Sequence, residues 1–581
     1  MIYQEVSEIF QNITVLQREK LSFADTSVDA VNQWVATLSI MQLGDTAESI
    51  LKAIHEISEL NCSETLRFDL IQVLHSVAEN ILSSLEKNIL NQGLTQNDRI
   101  EHIIDLSTRI RSYLTSVYIN IVRRSQQNSV QNKYSFFNFK QKRNLQTART
   151  LATFYALEQL GLLLVQQQML YSGPLKQQWL VTHFLYELAL KNQEFNININ
   201  QLQGTHFTIQ NIQQAYAQVL LLDIFNTHQI RPSETQALYQ CTFDWVKLVQ
   251  IQPRETTLSR YVVDGSKDIP PVFNRKQHAG FHTSLFVSTQ SILEHINTTL
   301  HKDTEYLSRN EQIFLTPALK FHVQNVLGAT SERQHERYEY TAHLQICFSL
   351  QTAHFYLSKA KNFHETLSLA NNYGIQSESR IQNSMTDGAS NLGEIKTLDR
   401  EAKQVYQTQV LDISVNGYRI RWANETPRNL RTGEFILVNE SLNNKWKGAI
   451  VRWIKQSINK TYEVGLEVLA QDIYPCAVKV PADRSTFNYH PCLMVKIENL
   501  NEENISIILP NLPFFKEQHA IYLRLGTEEI KVVLTTALLI TQSFVQYQFE
   551  LINEEENNRV QDFILQQTTN LNNQDVWEAL K

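Results

Sequence analysis

A chain of 581 residues, 43% hydrophobic and 19% charged with a formal net charge of −7, is too long for one core and too apolar for wholesale disorder, so several globular domains are expected. The acidic balance argues against broad binding to polymeric nucleic acid, which needs many Lys and Arg to displace counterions, yet it leaves room for a local basic pocket that takes one small anion. Five scattered cysteines (Cys62, Cys241, Cys347, Cys476 and Cys492), odd in number and without a C-x-x-C, argue against a disulfide framework or structural zinc site and fit a reducing compartment.

The first sixteen residues alternate apolar and polar with no basic segment ahead of an apolar run, which does not read as a signal peptide. The most apolar stretches, 160–165 and 532–540, are far shorter than the ~20 residues of a spanning helix. A cytoplasmic chain without a transmembrane segment is expected. Residues 1–252 read as a helical domain. Gly and Pro are sparse, and apolar residues recur every three or four positions. Leu66, Leu70, Val73, Leu74, Val77, Ile81 and Leu82 form one stripe, and Leu151, Phe154, Leu157, Leu160 and Leu164 another. Gly173-Pro174 interrupts the pattern, which restarts at Trp179, Phe184, Leu185 and Leu188. Ser233 and Gln236 read as a capping box before Leu238, Phe243, Trp245 and Leu248. Helices of this length point to a bundle or to stacked helix pairs. Lys133, Lys140, Lys142, Arg143 and Arg149 are interleaved with Tyr134, Phe136, Phe137 and Phe139, a mixture able to stack on single strands. In an acidic chain it reads instead as a loop whose aromatics enter the helical core.

Residues 253–328 are a mixed connecting region. Pro253, Asp264-Gly265 and Pro270-Pro271 mark turns, Tyr261-Val262-Val263 is a strand candidate, and 286–300 return to helical spacing. His278 and His282 stand four apart but lack the Glu of H-E-x-x-H and have Gly280 between them, so no metal is expected there. From Tyr338 the pattern is that of strands: residues 338–348 alternate and are rich in β-formers. A polar insertion occupies about 351–405, with Asn, Ser and Gly concentrated in 371–391. Strand patterns resume at 407–413, 417–422, 434–438, 449–454 and 462–469. They predict a six-stranded antiparallel β-barrel over 329–478. A second β-domain follows at 479–557, with candidate strands at 494–497, 505–509, 520–525, 530–534 and 545–551. A polar, weakly helical tail at 558–581 offers Phe563, Ile564, Val576 and Trp577 for docking. The expected fold class is multi-domain α + β: a mostly helical N-terminal half, a six-stranded barrel, and a further β-rich C-terminal domain readable as a degenerate barrel of the same kind.

Two short motifs carry chemistry. Arg333-Gln334-His335-Glu336-Arg337 is an R-x-x-x-R ahead of the first barrel strand, and Asp412-Ile413-Ser414-Val415-Asn416-Gly417 is a D-x-S-x-x-G in mid-barrel. Guanidiniums are always charged, planar and forked, and they pair bidentately with phosphate or with the O6/N7 edge of guanine. Two in one pocket repel each other unless an anion lies between them. An Asp carboxylate accepts the N1 and N2 hydrogens of guanine, Ser414 can bond base or phosphate, and Gly417 allows a turn and a close backbone approach. No general base, activated nucleophile or metal set accompanies them, so the site reads as a receptor and the chain is not expected to be an enzyme. Each motif alone has an ordinary reading: a solvated face with Glu332 and Glu336 as ion-pair partners, and an Asp or Ser turn between strands.

In order and context the motifs resemble the PilZ domain, the bacterial receptor module for cyclic di-GMP. The resemblance extends through Asp412–Ser414 to Gly417-Tyr418-Arg419-Ile420, the Leu430-Arg431-Thr432-Gly433-Glu434-Phe435 approach to a strand, the W-K-G-A-I-V-R-W run from Trp446 to Trp453, and Gly465-Leu466-Glu467-Val468-Leu469. It covers roughly residues 330–478. It implies that Arg333, Arg337, Asp412, Ser414 and Gly417 contact cyclic di-GMP, with no other cofactor and no metal. It also implies an effector acting through unidentified protein partners in motility, pili, biofilm or envelope processes. The motifs are farther apart than in most members, Asp412 following Arg337 by 75 positions. Either the intervening segment is an insertion in one barrel, which the clean strand after Arg337 favours, or the arginines are unrelated to the site. The rival functional reading is a scaffold that binds no ligand and whose helical region meets protein partners. A third reading, an enzyme with its active site in the helical region, has no constellation behind it.

Overall fold

The computed structural model describes residues 6–578 apart from 39–42, 91–93, 95–97, 132–138, 205, 275–283, 301–306, 330–336, 362, 368–403, 415, 423–425, 441–444, 458–460, 482–488 and 500–501. The chain divides into two compact units, residues 1–332 and 333–581.

The first unit is built on the long helices Leu43–Glu59, Glu64–Leu90, Asp98–Gln131 and Phe139–Met169. Glu64–Leu90 buries Leu70, Leu74, Ile81 and Leu82, with Leu66, Val73 and Val77 at the margin, as the spacing predicts. Phe139–Met169 buries consecutive residues from Leu151 to Leu157 as well as Leu160 and Leu164; burial all round marks it as the central helix of the unit. Arg67 is fully buried because its guanidinium caps the preceding helix, donating to the carbonyls of Ile57, Ser58 and Leu60. These are helix-end acceptors that burial would otherwise strand. Of the basic–aromatic mixture, Lys133, Tyr134, Phe136 and Phe137 lie outside the described residues. Arg149 is buried in the core, its Nε donating to Glu194 Oε2 at 3.2 Å.

Helix Pro232–Trp245 starts two residues earlier than the predicted capping box implies, with Arg231 and not Ser233 as the N-cap. Pro232 opens it, and the Glu234 carboxylate accepts the Arg231 N–H at 3.0 Å, leaving Ser233 inside the first turn. Proline's fixed φ suits the first helical position, and this decides the boundary. The connecting region forms a four-stranded sheet of β1 (Gln250–Gln252), β2 (Tyr261–Asp264), β3 (Val272–Phe273) and β4 (Ser284–Ser288), ordered β1-β4-β2-β3. Phe286, read from spacing as helical, lies in β4. Leu285 and Val287 alternate into the core, and the helix begins only at Gln290. His278 and His282 lie outside the described residues. On the β2–β3 connection, the Asp268 carboxylate accepts the N–H groups of Gln177, Trp179 and Leu180. A negative charge thereby caps the start of helix Gln178–Lys191 and ties the sheet to the helices.

The second unit holds two closed barrels. The first contains β5 (Tyr338–Phe348), β6 (Tyr406–Ser414), β7 (Gly417–Trp422), β8 (Phe435–Glu440), β9 (Lys447–Gln456) and β10 (Tyr462–Ala470). Its ring order is β5-β6-β7-β10-β9-β8. The second contains β11 (Asp472–Lys479), β12 (His490–Asn499), β13 (Glu502–Pro510), β14 (Ala520–Leu525), β15 (Glu528–Ile540) and β16 (Phe544–Leu551), ring order β11-β12-β13-β16-β15-β14. Counted from each barrel's own first strand, the two orders are identical, so the second barrel repeats the topology of the first. A division at 478/479 would leave β11 with the first barrel, but β11 pairs with β12 and β14. Only Gln471 separates it from β10, so no stretch remains ahead of β11 for an R-x-x-x-R. Helix Asn557–Glu578 docks Val560, Phe563 and Ile564 into the second barrel's core.

The segment read as a polar insertion begins with buried structure. Helix Leu350–Leu357 buries Leu350, Ala353 and His354. Nε2 of His354 donates to the Cys476 carbonyl of β11 at 3.1 Å. Further on, Arg524 donates to the Leu367 carbonyl at 2.8 Å, and Phe363 packs with Leu367, Ala477 and Tyr489. The leading part of the insertion therefore lies along the second barrel; residues 368–403 are outside the description.

Burial pushes the His354 imidazole down to about 4, only partly opposed by its hydrogen bond to Cys476. The ring stays neutral in the fold while the unfolded chain protonates near its ordinary value, so the unfolded state binds more protons between about pH 6.5 and 4. Stability is therefore expected to fall as pH drops through that window, by up to about 3 kcal/mol from this residue. Urea midpoints measured from pH 7 to pH 4 should show a shallower decline in His354→Gln than in the parent; parallel curves would refute the assignment.

Candidate functional site

The β6–β7 hairpin places the site. Val410 faces the barrel interior opposite Ile420, and two positions later Asp412 pairs with Arg419 instead of following Val410 inward, because the register shifts between them. The extra residue, Leu411, is a β-bulge, and bulges re-aim side chains. This one turns the Asp412 carboxylate to the outer surface, where alternation along β7 also puts Arg419. A second shift lies between Glu339 and Ala342 on β5, where Tyr340 and Thr341 stand opposite the single Leu411, so β5 carries an extra residue of its own beside the site.

On that surface Arg337 Nη1 reaches Asp412 Oδ1 at 3.0 Å, and Arg419 Nη1 reaches Asp412 Oδ2 at 3.0 Å. Arg419 also gives Nε and Nη2 to Glu463 Oε2 on β10, at 3.1 and 2.7 Å. Its guanidinium is held above its ordinary value first by hydrogen bonding to Glu463, against burial, and then by Asp412. The Asp412 side chain is 12% exposed and Arg337 40%: the carboxylate sits beneath two guanidiniums. The four side chains sum to no net charge, so an incoming anion competes with carboxylates already in place.

Strand pairing continues the row. Arg419 stands opposite Gly465, and Gly465 opposite Trp453. A Cβ on Gly465 would lie 1.9 Å from Trp453 Nε1, so the missing side chain is the seat of the indole. One barrel face thus presents, in sequence across β6, β7, β10 and β9, a carboxylate, a guanidinium, a glycine floor and a half-buried indole. Gly417 has a reason internal to the barrel. A Cβ there would lie 2.1 Å from the Leu466 carbonyl oxygen, so β7 and β10 approach this closely only with glycine. Ser414 Oγ donates to the Gly417 carbonyl at 3.4 Å and closes the hairpin.

Of the five predicted site residues, the structure brings together Arg337 and Asp412 directly, with Ser414 and Gly417 on the adjoining turn; Arg333 lies outside the described residues. Arg419, Glu463 and Trp453 were not singled out by the motifs. The outward alternation of Gly417, Arg419 and Arg421 along β7 was a signal for the first of them, whereas the other two join only through pairing of distant strands. Among the described residues no three His, Cys, Asp or Glu side chains are grouped to hold a metal ion, and no helix is long and apolar enough to cross a membrane.

Comparison with known proteins yields three consecutive family matches: residues 29–255 to the "Cyclic-di-GMP receptor FimW, N-terminal domain", residues 260–397 and 375–475 to its "middle PilZ domain", and residues 476–552 to the "FimW C-terminal beta-barrel domain". The chain is also similar to the Cyclic-di-GMP receptor FimW of Pseudomonas aeruginosa, 23% identical over 575 residues that cover 92% of each chain. No solved structure matches it.

Proposed function

Because the chain belongs to the PilZ family, as a member with a helical N-terminal domain and a second barrel, we propose that it is a cyclic di-GMP receptor that captures its ligand on the outer face of the first barrel. Asp412 accepts the N1 and N2 hydrogens of one guanine, Arg337 and Arg333 hold phosphate, Ser414 supports the hairpin beside them, and Trp453 offers its face to a base. The observation that carries this reading is the 3.0 Å contact between Arg337 and Asp412, made across 75 positions of sequence. The similar protein from Pseudomonas aeruginosa, matched over 92% of its length, is named a cyclic-di-GMP receptor, which supports the same ligand. The chemistry is that of a receptor and not of an enzyme, acting in the cytoplasm on pili, motility, biofilm or envelope processes through protein partners. For a signal to follow, the ligand must bind two arrangements of the protein unequally. The leading part of the insertion, residues 350–367, whose His354 and Leu367 meet the second barrel, is the element proposed to differ between them.

Isothermal titration of the full chain should give a saturable heat with cyclic di-GMP at micromolar or tighter affinity and none with cyclic di-AMP, whose bases lack the N1–H and N2–H donors. Absence of heat with cyclic di-GMP at high concentration would overturn the receptor reading and favour the scaffold.

A further inference from the structure

Both oxygens of Asp412 accept from guanidiniums, Oδ1 from Arg337 and Oδ2 from Arg419. The carboxylate is only 12% exposed beneath the two guanidiniums, so on the receptor reading above a guanine edge reaches both oxygens only as the guanidiniums move aside. The two are not equivalent. Arg337 is 40% exposed at the start of β5, and arriving phosphate can draw it away. Arg419 touches Asp412 through one nitrogen only, while two others hold Glu463. Glu463 pairs in register with Arg421, so it meets Arg419 on the diagonal, an arrangement that long side chains span readily. Arg419 can therefore give up Asp412 by losing one hydrogen bond while its charge stays compensated.

We propose that Arg419 is a guard that an arriving guanine has to displace from the Asp412 carboxylate, and that Glu463 is the positioning residue that lets the guard withdraw. The guard also filters. A base displaces it from Asp412 only by supplying donors in its place, which guanine does through N1–H and N2–H; adenine presents an acceptor at N1. Without Glu463, Arg419 has only Asp412 to neutralise it and holds the carboxylate harder. Without Arg419, the carboxylate is open to a weaker donor, the N6 amino group of adenine.

The test is a set of titrations with cyclic di-GMP and cyclic di-AMP on the full chain, using the parent, Glu463→Gln, Arg419→Gln, the double variant and Asp412→Ala, with thermal midpoints as a folding control. The expected result is a loss of about tenfold in cyclic di-GMP affinity for Glu463→Gln, equivalent to one charge-assisted hydrogen bond. Affinity should be undiminished in Arg419→Gln and should return to that level in the double variant, with measurable cyclic di-AMP binding whenever Arg419 is absent. A purely structural role would not produce this rescue. Unchanged affinity in Glu463→Gln, or additive losses in the double variant, would overturn the guard and make Arg419 a direct ligand contact or a bystander. Binding by the parent that is lost in Asp412→Ala, with Glu463→Gln unaffected, would leave the receptor reading standing and sink this one alone. No binding by the parent would sink both.

Discussion

Arg337→Ala and Asp412→Ala are each expected to reduce cyclic di-GMP binding below detection in a calorimetric titration that gives clear heat with the parent. Truncating one member of a hydrogen-bonded charge pair at a binding site costs about 2–5 kcal/mol, roughly 30-fold to several thousand-fold in affinity. Both residues stand at the centre of the cluster. Loss of Asp412 has two effects of the same sign: the guanine edge has no acceptor, and Arg337 and Arg419 face each other without their shared carboxylate. Arg337→Ala is the cleaner variant. Its pair with Asp412 is 40% exposed on the arginine side, so it stabilises the fold by no more than about 1 kcal/mol after solvent screening. The thermal midpoint should therefore stay within a few degrees of the parent while binding is lost. Parent-like affinity in Arg337→Ala would show that the R-x-x-x-R segment does not serve this site despite its contact with Asp412.

Gly417→Ala is expected to lower stability by about 3 kcal/mol, among the larger effects a single methyl group can have. The added carbon would sit 2.1 Å from the Leu466 carbonyl oxygen. The obstacle is backbone, so no rotamer relieves the overlap. Gly417 pairs with Glu467 and Tyr418 with Leu466, so parting the strands enough to admit a methyl group breaks the β7–β10 ladder that closes this side of the barrel. Urea unfolding would measure the loss, and amide exchange should localise it to the amides of β7 and β10. A parent-like midpoint would mean that the two strands do not approach as closely as described. The same experiment separates two reasons for glycine in D-x-S-x-x-G: a variant that stays folded but does not bind would assign Gly417 to the ligand, whereas one that unfolds assigns it to the strand pairing.

Local patterns in the sequence carried much of the architecture, because burial of one face repeats with the period of the element that buries it. Leu70, Leu74, Ile81 and Leu82 fall on the buried side of one helix. Residues 338–348, with their alternation, form β5 from end to end. Short elements escaped where two periods could be drawn through the same residues. Phe286 fitted a helical stripe until β1 and β2 claimed Ser284–Ser288 as the central strand between them. Asp472–Lys479 is not among the predicted strands, and the boundary at 478/479 leaves it with the first barrel, because nothing local tells which barrel a segment next to β10 will join.

The sequence by itself determined which residues could form a guanine- and phosphate-binding site: an arginine ahead of a strand, and an aspartate, a serine and a glycine at a hairpin, types whose charge and geometry suit that ligand. Tertiary structure decided the rest. A bulge at Leu411, visible only once β6 is paired with β7, turns Asp412 outward instead of into the core. Closure of the ring sets Glu463 and Trp453 beside Arg419 from strands that lie far along the chain. The course of the insertion's leading part along the second barrel depends on β11, which receives His354, and on β14, whose Arg524 holds Leu367, both more than a hundred residues later. Motifs report what a side chain can do. Which face it occupies, and which neighbours already hold it, depends on hydrogen-bond register between segments that meet only when the barrel closes.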